Sequence, residues 1–220
     1  MPDSFCNLFG AKITWLYHAG FLLEANGKTV FIDPFKIPQN SPQGDLILVT
    51  HEHFDHCDPT VISQIVGPET RIVAPESAAK KLHMFHDKLA VIREGDAPSQ
   101  RGFYLKTVPA YNPAKSFHPR GLGVGYVITV DGKNFYHAGD TDYTAEMTKL
   151  KGIDVAMLPI GGTYTMNIDG AAAAANAFKP KTLIPMHYNS LDGLQADPQA
   201  LAAKLEQEIR LVILDPAFKV

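Results

Sequence analysis

The segment Thr50-His51-Glu52-His53-Phe54-Asp55-His56 gathers three imidazoles and a carboxylate within six residues. In an extended chain side chains alternate in direction, so His51, His53 and Asp55 project to one side, and His56 comes round as the chain turns toward Pro59. Two imidazoles at i and i+2 can hold one metal ion. The carboxylate and imidazole at i+4 and i+5 can hold a second, at about the 3.5–4 Å spacing of two-metal sites. Imidazole with carboxylate suits zinc, manganese, iron or nickel rather than calcium. A single histidine after a strand is more often a hydrogen-bonded structural residue. Four such groups without a metal would set titratable side chains against one another, so metal binding is the expectation.

Two distant segments can join this one. Asn134 to His137 is strand-like and runs into Ala138-Gly139-Asp140-Thr141, and Thr182 to Met186 runs in the same way into His187-Tyr188. Loops past the carboxyl ends of strands can gather at one rim of a sheet sandwich, where Asp140 can bridge two ions and His187 complete the second. The plainer role for Asp140 is to cap a helix beginning at Thr141.

The elements that must position these residues are legible as runs. Ile13 to Tyr17, Phe21 to Glu24 and Val30 to Ile32 read as strands, with Asn26-Gly27 as a hairpin signal. Leu46 to Thr50 is continuously apolar, as for a strand covered on both faces, and a helix follows with Asp58 as cap and Pro59 at its first position. Arg71 to Ala74, Ala90 to Arg93, Phe103 to Tyr111, Gly123 to Val130, Asn134 to His137, Val155 to Leu158 and Thr182 to Pro185 are further strands. Asp131-Gly132 reads as a second hairpin turn. Glu76 to His83, Thr141 to Leu150, Asp169 to Phe178 and a last segment opening at Asp197-Pro198 read as helices. The order implies one domain over residues 1–220, in which two β-rich halves pack sheet on sheet with helices outside. The loop Asn112 to Leu122 is the longest irregular stretch, of a length that is often functional.

Composition excludes several classes. The 220 residues are 45% hydrophobic and 20% charged, which is globular rather than disordered. A net charge of −3 without clustered Lys and Arg offers nucleic acid no grip. No apolar run approaches the roughly 18 residues of a membrane span. The N-terminus lacks the layout of a secretory signal, and two cysteines suit a reducing compartment, so a cytoplasmic protein is expected. Closed homo-oligomers are common among such enzymes and one is expected here.

HEHFDH at His51 to His56, HAGDT at His137 to Thr141 and PMHY at Pro185 to Tyr188, in that order and spacing, resemble the metallo-β-lactamase superfamily. The similarity is strongest to its branch of uncharacterised metal-dependent hydrolases, related to ascorbate phosphate lactonases and to the phospholipase D that cleaves N-acyl phosphatidylethanolamine. The resemblance implies an α/β (α+β) fold, a four-layer αββα sandwich with a dinuclear site at one edge. It implies two divalent ions, zinc first with manganese, nickel or iron as alternatives. His51 and His53 would hold one ion, Asp55, His56 and His187 the other, and Asp140 would bridge them. The family usually supplies another histidine after the strand that ends at Tyr111, where this chain has Asn112. Either Asn112 coordinates, or His118 swings in from the same loop, and the freedom of a loop favours His118. His18 matches a histidine that many relatives carry at the site rim, with a substrate or supporting role set against a plain turn-stabilising one. Tyr188 could donate to a developing oxyanion, against the commoner case of a packed ring.

The chemistry expected is hydrolysis of an ester, lactone, amide or phosphodiester of a small molecule by metal-activated water, with Asp55 or Asp140 holding the nucleophile. The rivals are a metal-binding protein with little catalysis, a di-iron redox enzyme, which would need a flavin partner domain, and an RNA-processing nuclease, which would need a basic surface. Lys115 and Arg120, beside His118, suggest an anionic substrate, although a solvated basic loop is the more ordinary explanation.

Overall fold

The computed structural model describes residues 3–219. The first half forms a seven-stranded sheet whose strands lie side by side in chain order: β1 (Phe5–Leu8), β2 (Ala11–Tyr17), β3 (Gly20–Ala25), β4 (Lys28–Ile32), β5 (Gly44–Leu48), β6 (Val66–Pro75) and β7 (Leu89–Ile92). The second half repeats this with β8 (Ser99–Gln100), β9 (Phe103–Ala110), β10 (Gly123–Val130), β11 (Lys133–His137), β12 (Val155–Pro159), β13 (Thr182–Met186) and β14 (Arg210–Leu211). Each sheet begins as an antiparallel meander and turns parallel midway, from β4 onward in the first and from β11 onward in the second.

Burial on both faces explains the apolar runs. In β5, Leu46 and Leu48 join an inter-sheet core with Leu105, Tyr126 and Phe135. Ile47, and Val49 just beyond the strand, turn the other way onto Ile62 and Ile65 of α1 (Pro59–Ile65) and Ala78 of α2 (Glu76–Lys81). On the second sheet α3 (Ile168–Phe178) presents Ala171, Ala174 and Ala175 to the core, small residues that let the helix approach closely. The result is the expected order of layers, helix, sheet, sheet, helix. Both hairpin signals hold: Asn26-Gly27 and Asp131-Gly132 have φ of 54° and 68°, and 48° and 71°, the paired positive values a type I′ turn requires. Asp58 caps α1 as expected, accepting from Thr60 N at 2.8 Å.

Two expected helices do not form. Residues 141–150 are irregular, with a turn at 145–146 that leads into a single 3₁₀ turn at Met147–Lys149. Thr141 Oγ1 and the Asp142 amide both bond the Tyr111 carbonyl, at 3.1 and 3.0 Å, which pins the segment along the Asn112 loop. The last segment makes only a 3₁₀ turn at Pro198–Leu201. There the Asn176 side chain accepts from the Glu206 amide and donates to the Lys204 carbonyl, replacing the helical ladder. Leu201 and Ile209 are buried without it. Among the described residues no helix is long and apolar enough to cross a membrane.

Candidate metal centre

Strand ends deliver the site. Asp33 follows β4, Thr50 and His51 follow β5, Asp140 follows β11 and His187 follows β13, so these residues lie beyond the carboxyl ends of parallel strands, where open α/β sheets place their ligands. His18 occupies the turn between β2 and β3, and His118 comes from the loop after β9. His18, Asp33 and His187 adopt φ of 57°, 45° and 58°, a left-handed conformation uncommon for non-glycine residues.

The side chains converge in two groups. His51 Nε2 lies 3.0 Å from His53 Nδ1, and His118 Nε2 lies 3.2 Å from the same atom. In the second group His18 Nε2 is 3.0 Å and His56 Nε2 3.9 Å from Asp55 Oδ2, and His187 stands beside them. Asp140 reaches both: its Oδ2 is 3.3 Å from His118 Nε2 and 3.0 Å from His187 Nε2, and its Oδ1 is 3.3 Å from His56 Nε2. Within each group the candidate donor atoms lie within 4.8 Å of one another.

Partners on the far side of each ring set its tautomer. Asp33, fully buried, accepts from His56 Nδ1 at 2.7 Å, from Thr50 Oγ1 at 2.6 Å and from Thr50 N at 2.7 Å. With its own proton given to Asp33, the Thr50 hydroxyl accepts from His51 Nδ1 at 3.0 Å. The Asn112 amide oxygen accepts from His118 Nδ1 at 2.8 Å. His51, His56 and His118 therefore carry their protons outward and aim the Nε2 lone pair into the centre. His56 Nε2, His187 Nε2 and Asp140 Oδ1 are buried without a hydrogen bond, the short approaches between them lacking the alignment of one. Buried polar atoms left so are costly, and inward lone pairs around a carboxylate are the donor set of a divalent metal.

Electrostatics agree. Burial and the neighbouring imidazoles hold His51 and His53 below the ordinary histidine range, and burial with His187 nearby brings His18 down to about 4. Burial opposes the charged form of Asp140 and Asp55, but the surrounding imidazoles outweigh it and keep both carboxyls low. His56 runs opposite: burial disfavours its cation, yet Asp140, Asp55 and Asp33 together raise its pKa. Neutral imidazoles and ionised carboxylates are the forms that bind metal, and His56, the exception, must give up its second proton to an incoming ion.

The centre opens into a cavity of about 320 Å³, lined by His53, Asp55, His118, Asp140 and His187 and walled by Phe54, Phe117, Tyr164, Leu191 and Leu194, with Asp192 beside them.

Of the two alternatives for the first ion, the structure brings the favoured His118 and not Asn112 to the centre. Asn112 does not face the centre as a ligand, since its oxygen is taken by the His118 amide at 3.0 Å and ring nitrogen, and its Nδ2 donates to the Tyr164 carbonyl at 3.1 Å. Tyr188 lies just past the left-handed turn at His187 and stacks its ring on Trp15 at 5.2 Å, away from the centre. The two cations of the long loop are engaged elsewhere. Lys115 Nζ binds Asp142 at 2.7 Å and the Thr165 carbonyl at 2.6 Å, while Arg120 pairs with Glu146 at 2.9 Å and Glu94 at 3.3 Å. His18 is more central than a rim residue. Asp33, Thr50 and Ser190, whose hydroxyl lies 2.6 Å from His18 Nδ1, were not singled out by sequence reasoning. The available signal for Asp33 was an acid directly ending the apolar run Val30 to Ile32.

The chain belongs to the metallo-β-lactamase superfamily: the family model for the beta-lactamase superfamily domain matches residues 12–187. Within that class it is similar to UPF0173 metal-dependent hydrolases. It is 35% identical over 220 residues to one from Pyrococcus abyssi, covering 93% of this chain and 96% of the relative. It is 37% identical over 204 residues to one from Thermoplasma acidophilum, covering 87% and 89%. A crystal structure from Parabacteroides distasonis, proposed as a metal-dependent hydrolase, superposes with a TM-score of 0.84 at 34% identity, covering 94% of this chain and 93% of that one.

Proposed function

We propose that this chain is a metal-dependent hydrolase of a small-molecule ester, lactone, amide or phosphodiester. The observation that carries the reading is Asp140: one buried carboxylate touches an imidazole from each of two groups whose donor atoms face inward, at the base of an open cavity. The name metal-dependent hydrolase, borne by relatives that align over nearly the whole chain, supports it.

His51, His53 and His118 would hold one divalent ion and Asp55, His56 and His187 the other, with Asp140 between them and zinc the first choice. Such ions supply Lewis acidity and bring the pKa of a bound water from 15.7 toward about 7. The chain supplies the rest. Asp55, ionised and held by His18 Nε2, presents a carboxylate to the cavity, where it can accept a hydrogen bond from the attacking water and orient it. Ser190 and Asp55 fix the His18 ring from its two nitrogens. Asp33 and Asn112 keep His56 and His118 in register, and Phe54 and Phe117 restrict solvent at the mouth.

The test is turnover of an ester and phosphodiester panel, with elemental analysis, before chelation, after it and on return of zinc. Up to two divalent ions per chain and activity that disappears and returns with them are expected. Turnover unchanged by exhaustive chelation would remove the proposal.

A further inference from the structure

The cavity wall says more about the substrate than the cluster does. Phe54, Phe117 and Tyr164 are 64%, 45% and 37% exposed, yet they converge on one opening, and side chains of that size left bare around a concave site mark a surface that binds. They are also held in place: Phe54 sits edge-on to Phe35 at 5.7 Å and Phe117 edge-on to Tyr164 at 4.8 Å, so little ordering remains for a ligand to impose. Among the described residues no lysine or arginine lines the cavity, and Lys115 and Arg120 pair outside it, with Asp142 and with Glu146 and Glu94. The charged side chain on the wall outside the cluster is acidic, Asp192. A phosphorylated or carboxylated group would find positive charge only at the ions themselves, and along the wall, where the rest of the substrate lies, it would meet no cation and would be repelled by Asp192. A volume of about 320 Å³ is at the small end of the roughly 300–1,000 Å³ of ligand pockets.

We infer that the substrate is an uncharged carboxylic ester, lactones included, with an apolar acyl part of moderate length seated against Phe117, Tyr164 and Leu191. This rests on the hydrolase reading and narrows it. The reaction balances with water alone. The water oxygen forms a bond to the acyl carbon, the acyl–alkoxy bond breaks with its electron pair on the alkoxy oxygen, one water proton ends on that oxygen, and the new carboxylic acid ionises to solvent.

Zinc-loaded protein would be assayed on p-nitrophenyl acetate, p-nitrophenyl hexanoate and bis(p-nitrophenyl) phosphate, and titrated calorimetrically with 2-octanone as an unreactive neutral probe. The expected result is kcat/KM for hexanoate about tenfold or more above acetate, and well above the phosphodiester. Phe117→Ala and, separately, Tyr164→Ala should each lower the hexanoate-to-acetate ratio about three- to tenfold and weaken 2-octanone binding, with zinc content unchanged. Asp192→Lys should shift preference toward an anionic succinate monoester. Preference for the phosphodiester, or a chain-length ratio untouched by both aromatic variants, overturns the inference and leaves the hydrolase reading in place. No turnover on any class, with 2-octanone binding intact and sensitive to Phe117→Ala, overturns the hydrolase reading while apolar occupancy stands. No turnover and no binding overturns both.

Discussion

Asp33 ties the two ends of the HEHFDH segment together, taking the His56 ring proton directly and reaching His51 through the Thr50 hydroxyl. An amide at this position would turn an N–H toward one of those donors, freeing a ring to rotate. Asp33→Asn should therefore weaken metal binding by about 10–100-fold, measured by competition with a chromophoric chelator, and activity should fall with occupancy. Asn112 offers a sharper comparison, because its oxygen alone orients His118. Asn112→Ala should cost affinity on the same scale at the site holding His118, whereas Asn112→Asp, which keeps an acceptor there, should restore most of it. Equal loss in both variants would argue that Asn112 acts through loop packing instead. These two residues also show where reading the sequence stops. His51, His53, Asp55 and His56 are visible because four donors in six residues have few innocent explanations. Asp33 is a lone acid at a strand end, indistinguishable in the sequence from a solvated turn, and only its three buried hydrogen bonds reveal its role.

At the scale of elements, the centre depends on strands stopping at the right residue. His18, Asp33 and His187 leave their strands through left-handed backbone, at about 1–2 kcal/mol each, and the packing around them must hold those turns. For His187 part of that packing is Gly161, just after β12, where an added Cβ would overlap the His187 carbonyl oxygen and crowd Leu194. Gly161→Ala should displace the end of β13, lowering stability by about 1–3 kcal/mol in urea unfolding and reducing metal occupancy at the site His187 serves. A stable protein with full occupancy would show that the turn can shift without moving the imidazole. Strands and hairpin turns were legible because apolar runs and paired positive-φ residues are local signals. Residues 141–150 misled because the features that override the helix, the bonds from Thr141 and Asp142 to Tyr111, join positions about thirty apart in the chain. Tyr188 follows the same lesson: the left-handed turn at His187 and the stacking partner Trp15, far away in the chain, decide where its ring goes, and neither is a local signal.

Across the whole molecule, two sheets of like topology meet over one core and bring buried histidines from both to a common edge, so folding without metal must bury imidazoles that would rather be charged in acid. The sign of the resulting pH dependence follows from the directions of the shifts. His18, His51, His53 and His137 all have folded pKa values below 6.5, with burial the leading cause. Between 6.5 and those lower values the unfolded chain binds protons that the folded chain does not, so stability falls as pH falls through this window. For His18, the interval from 6.5 down to about 4 corresponds to about 3 kcal/mol once fully traversed. His56 has a raised pKa, so its contribution is already complete below 6.5 and is lost only as pH rises through its folded value, leaving the acid limb uncompensated. The carboxyls of Asp55 and Asp140, held low, remain ionised throughout the window and act only in stronger acid. Chelator-stripped protein should thus lose several kcal/mol in urea unfolding between pH 6.5 and 4. Zinc-loaded protein should start from a higher plateau and fall more steeply, because each proton gained by an imidazole also competes with the ion. A stripped protein whose unfolding midpoint stays flat across this range would mean that these imidazoles are already solvated in the folded state, and the inward-facing centre would not survive that result.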